Sequence, residues 1–255
     1  MTLAIDSGSK TSSNFNQTNS GTISLTTAGT DELVILLIAA EATTPGGGGP
    51  PAPTITGVSG GSGLTWARRA TYSQTDTAGT QICNRIQEIW WAWASAQQTS
   101  QTITVTTSTI NTDVTDLDIF AVTGVPLGNA GGPFDTNVSL PGKVAQNVNV
   151  DVAIQFTGIS TDDAAPFMFG FVWNTNIANP VSNAAASGHT LLTYRQDHAI
   201  NNTSYESEYW LPGSQLSSAT VNLNSGNHRN WQAMIDGIAS TGGIPSKRRL
   251  GATIT

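Results

Sequence analysis

Four stretches of this chain alternate polar and apolar residues with a period of two: Thr22-Ile23-Ser24-Leu25-Thr26, Gln101-Thr102-Ile103-Thr104-Val105-Thr106, Val148-Asn149-Val150-Asp151-Val152 and Ala219-Thr220-Val221-Asn222-Leu223. A period of two points successive side chains to opposite faces of a strand, one on a core and one in water. Thr on the wet face suits extended backbone, because its β-branched side chain is sterically at ease there. The helical alternative lacks its usual materials. Charged residues make up only 11% of the chain, less than half the ~25% of an ordinary soluble domain. Solvated helices lean on Glu, Lys and Arg.

Other runs are denser. Leu33 to Ala40 is almost wholly Leu, Ile, Val and Ala; Ile89 to Ala94 carries three Trp; Phe167 to Trp173 carries four aromatics; Asp118 to Val125 reads DIFAVTGV. Flanking Gly, Pro and Asn favour strands covered on both sides over short helices. Turn signals such as Ala28-Gly29-Thr30-Asp31, Gly60-Gly61-Ser62-Gly63 and Asn224-Ser225-Gly226-Asn227 punctuate the runs. The segment Thr43 to Pro53, TTPGGGGPPAP, is expected to be an exposed, mobile loop, since Gly and Pro join ladders poorly.

A repeat runs through the chain. LVILLIAA, GLTWARRATYSQ, RIQEIWWAWA, QTITVTTS and TDLDIFAVTGV are followed, in the same order, by FMFGFVWN, GHTLLTYRQDH, SYESEYWLPG, SATVNLNSG and NWQAMIDGIAS. Glu88 with Trp90 corresponds to Glu208 with Trp210. The fold expected is all-β: one antiparallel β-sandwich of jelly-roll type over residues 1–240, built from two similar halves, with an extended basic tail at 241–255. The alternative is two tandem sandwiches, 1–125 and 148–240, meeting near residues 126–147.

Several classes are excluded on this reading. The longest apolar run, Leu33 to Ala40, is far short of the ~20 residues that span a bilayer, so no membrane partner is expected. The start MTLAIDSGSK lacks the basic and apolar regions of a signal peptide. Cys83 is the only cysteine and is expected to be a small apolar filler in or beside a strand. A net charge of −7 argues against a nucleic-acid surface on the body.

The strand order also resembles a known group. Ala4-Ile5-Asp6 opens the chain, then come a Ser/Thr/Asn stretch, the LVILLIA strand, ITGVSGGSGLTW, EIWW, TITVT and DIFAVTGV. This resembles a β-sandwich module of phage structural proteins and bacterial surface proteins, over roughly residues 2–240. Its second half departs most, at FMFGFVW and GHTLLTYRQDH. The resemblance implies a virion protein, with capsid decoration, a head fibre or a tail component as its place. It implies no enzyme activity and no cofactor. It makes other virion proteins, and further copies of itself, the partners, with synthesis in the host cytoplasm. A host glycan is the alternative partner, for a carbohydrate-binding module or lectin-like adhesin.

Glu88 and Glu208 are the candidate carboxylate pair for a sandwich glycosidase, which needs them ~5–10 Å apart on one face. The competing expectation makes each a wet-face residue. Trp90, Trp91, Trp93 and Trp173 are candidate sugar platforms. Alternation places Ile89, Trp91 and Trp93 on one face and Trp90 and Ala92 on the other, so Trp90 is the candidate exposed contact. Asn111, Asp113, Asp116 and Asp118 carry oxygens of the type calcium takes, but the spacing fits a polar turn before Leu117 better. His189, His198 and His228 lack zinc spacing. No phosphate-loop or nucleophile-elbow pattern occurs. The N-x-S/T sequons at Asn16, Asn137 and Asn202 read as chance in so Ser/Thr-rich a chain.

The tail TGGIPSKRRLGATIT carries Lys247, Arg248 and Arg249, three of the ten basic residues, and no acid. Gly242-Gly243 would release it, Pro245 would keep it extended, and Ile244, Leu250 and Ile254 offer something apolar to bury. Lys247, Arg248, Arg249 and Leu250 are therefore the candidate assembly arm, able to dock on an acidic neighbour such as a second copy.

Overall fold

The computed structural model describes residues 2–16, 18–45, 52–76, 81–108, 114–126, 132–146, 151–175, 181–197 and 203–240. Among these every regular element is a strand. The first half holds β1 (Ala4–Ile5), β2 (Thr11–Phe15), β3 (Ser20–Leu25), β4 (Glu32–Pro45), β5 (Ile55–Gly60), β6 (Ala67–Asp76), β7 (Gln81–Ala94), β8 (Gln101–Thr107) and β9 (Val114–Thr123). The second holds β10 (Gly142–Gln146), β11 (Val152–Ile159), β12 (Phe167–Asn174), β13 (Thr190–Asp197), β14 (Thr203–Trp210), β15 (Ala219–His228) and β16 (Trp231–Ile238).

The strands form four antiparallel sheets. The main sheet of the first half has the order β1-β9-β4-β7-β6, with β2 also on β9, and its cover sheet is β3-β8-β5. The main sheet of the second half is β10-β16-β12-β14-β13, and its cover is β11-β15. The two main sheets match strand for strand: β9, β4, β7, β6 against β16, β12, β14, β13. Register agrees as well, since Glu88 lies opposite Ile38 and Glu208 opposite Gly170. The order of similar segments in the sequence is thus the order of equivalent strands.

The expected antiparallel sandwich is present, as four layers rather than two. Leu33, Ile35, Leu37, Phe120 and Val122 of one main sheet pack on Phe167, Phe169, Phe171, Met234 and Ile238 of the other. The two halves therefore share a core. The opposite face of β4, with Val34, Leu36 and Ile38, packs on Ile23, Leu25, Ile103 and Val105 of the first cover. Met168, Val172 and Ile235 meet Ile154, Phe156, Val221 and Leu223 of the second. Each main sheet is covered on both faces, so Leu33 to Ala40 and Phe167 to Trp173 are buried at every position. Such strands lose alternation and become continuous apolar runs. Each fully buried Leu, Ile or Phe contributes roughly 1.5–3 kcal/mol of transfer free energy.

Polar side chains tie the halves across this central layer. Arg69 Nε donates to Asp236 Oδ2 at 2.9 Å, with its guanidinium 4.6 Å over the Phe134 ring. Trp173 Nε1 donates to Glu41 Oε2 at 2.8 Å, Gln232 Nε2 to the Tyr72 carbonyl at 2.7 Å, and Arg85 Nη1 to the Asn230 carbonyl at 3.1 Å. Ser207 donates to Asp118, and Arg195 pairs with Asp116 at 3.7 Å.

Candidate functional site

The two cover sheets differ in one strand, and the site lies at that difference. In the first half β8 is paired on both edges, by β3 and β5. Its counterpart β15 pairs with β11 on one edge; among the described residues no strand lies on the other. Ile103 and Val105 of β8 match Val221 and Leu223 of β15, since Ile103 lies opposite Ile23 and Val221 opposite Phe156. Where Gly60 and Val58 of β5 lie beside Ile103 and Val105, the equivalent edge of β15 is open among the described residues.

Residues 52–60, which follow β4, lead into β5, whereas residues 181–189, which follow β12, form no strand. Residues 181–189 cross only the end of β15: Ser225 N donates to the Ala184 carbonyl at 3.1 Å, and Asn224 Nδ2 to the Ser182 carbonyl at 2.8 Å. Ala219 to Asn222 are left facing a cavity of about 440 Å³, walled also by Ala186, Ser187, His189, Trp210, Pro212 and Leu216.

Glu208 fixes this wall. Alternation on β14 aims Glu206 and Glu208 away from the central layer, toward the cover. Glu208 accepts hydrogen bonds from Ala186 N at 2.8 Å, from Asn224 N at 3.2 Å and from His189 Nδ1 at 2.8 Å. His189 in turn stacks on Trp210, ring centres 4.1 Å apart and planes 3° apart. The contact uses Nδ1 of the His189 ring and leaves Nε2 outside it. Glu206 beside it is pushed well above the ordinary carboxyl range, by burial first and then by the neighbouring Glu208 charge. Two adjacent buried carboxyls repel when both are charged, which is why the shift of Glu206 is upward. In effect Glu208 clamps the segment 181–189 against the sheet.

The expected pairing of Glu88 with Glu208 is not formed. Glu88 lies on the outer face of the first main sheet, where Trp90 Nε1 donates to it at 2.6 Å and Arg68 Nη1 at 3.0 Å. Glu208 lies on the outer face of the other main sheet, so both main sheets stand between them. Equivalence of the halves puts these residues at matching positions, and the halves pack through their other faces. Nor are they wet-face residues: Glu88 is 1% exposed and Glu208 0%, because a cover layer lies over each. Burial raises the Glu88 carboxyl, against the lowering effects of Trp90 and Arg68.

The other candidates are dispersed through the fold. Trp90 is half-buried against the first cover, while Trp91 and Trp93 are half-buried in the central layer. Trp173 is buried, so the four do not make an exposed platform. Asp116 and Asp118 are not in a turn: the strand begins at Val114, and both are buried on its central face. Asn111, Asp113 and His198 lie outside the described residues. No group of three or more His, Cys, Asp or Glu placed for a metal occurs among the described residues. Cys83 is half-buried in β7 and His228 buried at the end of β15. Residues 46–51 and the arm residues Lys247, Arg248, Arg249 and Leu250 also lie outside the described residues. The grouping of His189 with Glu208 and Trp210 had a partial signal, the repeated Glu-x-Trp, but nothing in the sequence pairs it with a histidine 19 residues upstream.

Comparison with known protein families, with curated proteins and with solved structures returned no match.

Proposed function

We infer that this is a non-enzymatic structural protein of a phage virion, a capsid decoration or head-fibre-like component acting through protein–protein contacts. The observation that carries the reading is the unfilled strand position beside β15, in a body whose matching half has that position filled. An open sheet edge is a template for another chain, and proteins that do not use one usually blunt it. The resemblance of the strand motifs to those of virion modules and the ties between the halves support the same reading. Contacts with copies of itself or with other capsid or tail proteins are the mechanism, and the particle surface is the location. Light scattering of the intact protein tests it. A defined, symmetric oligomer is expected. A monomer at every concentration would contradict self-assembly.

A second reading, glycan binding, rests on the cavity volume, which lies within the ~300–1,000 Å³ of small-molecule sites. Trp210 stands in its wall, but His189 already covers one ring face. A glycan array separates the two readings: a specific hit lost in His189→Ala favours binding, and a blank array favours assembly.

A further inference from the structure

We propose that the C-terminal segment 251–255 of one copy adds as an antiparallel strand to the open edge of β15 in a second copy. This rests on the assembly reading above and names the contact that performs it.

The receiving place is defined by the molecule itself. Edge addition draws affinity from main-chain hydrogen bonds and specificity from pockets for alternate side chains. Ala219 to Asn222 present the edge, and Trp210, Leu216 and Val221 line the pocket beneath it. In the first half β5 performs this role from within the chain. There Val58, between the small residues Gly57 and Ser59, lies beside Val105, and the tail carries one apolar residue between two small ones at Thr253-Ile254-Thr255. Ile254 is the one large apolar residue of the terminal five, flanked by Thr on both sides, which matches one inward and two outward positions.

Chain direction selects the second copy. Every strand pairing described in this molecule is antiparallel, so an added strand must enter at the Leu223 end of β15 and run toward Ala219. Ser240 sits at the Ala219 end. Its hydroxyl donates to Asp163 at 2.6 Å, Thr161 pairs with Leu216, and Ser218 N donates to Ser160. A tail serving its own edge would first have to traverse the slot and then reverse. Ten residues, 241–250, separate Ser240 from the terminal five, and extended they reach ~33 Å, enough to cross to a neighbour. The three basic residues within that stretch would then lie against an acidic body.

The test uses the full chain with Cys83→Ser. One protein carries Thr220→Cys and a second carries Thr253→Cys, or Thr255→Cys to cover a shift of register. Neighbouring strands bring such residues within the ~4.4–6.8 Å Cα separation of a disulfide. The two are mixed, equilibrated, oxidised and run without reductant. A covalent species joining the two different chains is expected. In a single chain carrying both cysteines, an internal bridge as the only product would overturn the assignment to a second copy. No bridge from either tail position would overturn strand addition. Light scattering on the same samples separates the two failures. An oligomer without a bridge leaves the assembly reading standing, whereas a monomer without a bridge removes both.

Discussion

Asp118 and Asp236 hold matching positions on β9 and β16, one opposite Leu37 and the other opposite Phe169. Both are fully buried and face the opposite half. Asp236 meets the Arg69 guanidinium, yet burial outweighs this partner and raises its carboxyl. Asp118 is pushed up to about 7, chiefly by burial, although Ser207, Lys10 and Arg195 oppose the shift. A carboxyl raised on folding binds its proton more tightly in the native state than in the unfolded one. Its stabilising effect is therefore complete below the unfolded value of ~4 and is lost as pH rises through ~7. Urea unfolding should show higher stability near pH 5 than near pH 8. Asp118→Asn should flatten that slope, removing an effect on the order of a few kcal/mol. A slope unchanged in the variant would show that other groups set it. Arg69→Ala should cost about 3–5 kcal/mol, because it strands Asp236 without its cation. Replacing both residues with apolar ones of similar size should recover most of that loss.

At the scale of elements, the equivalent main strands differ where the covers differ. Ile38 of β4 has Gly170 of β12 as its counterpart. A Cβ at Gly170 would come within 2.8 Å of Leu223 Cδ1 and Ile235 Cγ2, so the second cover seats directly on the backbone there. Gly170→Ala should cost about 1–3 kcal/mol through overpacking, read as a lower urea midpoint with an unchanged slope. Gly60, at the end of β5, has φ +94° and its Cβ position lies 2.2 Å from the Thr102 carbonyl oxygen; only Gly closes the first cover at that point.

The cover strands were legible in the sequence because they have one wet face. Thr22 to Leu25 and Gln101 to Thr106 alternate as such strands must. The main strands were legible as strands covered on both sides, but what covers them was not. Glu88 and Glu208 read as wet-face residues, and Asp116 and Asp118 as a polar turn, since a single strand does not reveal which further layers lie over it. A signal was available: RIQEIWWAWA and TDLDIFAV carry few residues that break a buried run, and the repeat predicts that both halves share any such burial. The open edge of β15 was not legible. It arises from the path of the segment after β12, and nothing in Ser182 to His189 announces a missing strand.

At the scale of the whole molecule, the shared central core couples the halves. Phe120 packs against Phe167 and Phe169 from the other half, with ring centres 6.4 and 5.8 Å apart. Unfolding followed by Trp fluorescence and by circular dichroism should therefore give one coincident transition. Two separated transitions would mean that the halves hold together only through their own covers. Beside β15 the second cover lacks the strand that the first cover has among the described residues, and the account turns on what fills that place. Amide hydrogen exchange over residues 219–223 tests this most directly, in the intact chain and in one ending at Ser240. Strong protection in the intact protein, lost when residues 241–255 are removed, is the result predicted. Equal exchange in the two proteins would contradict it, and with it the arm as the means of assembly.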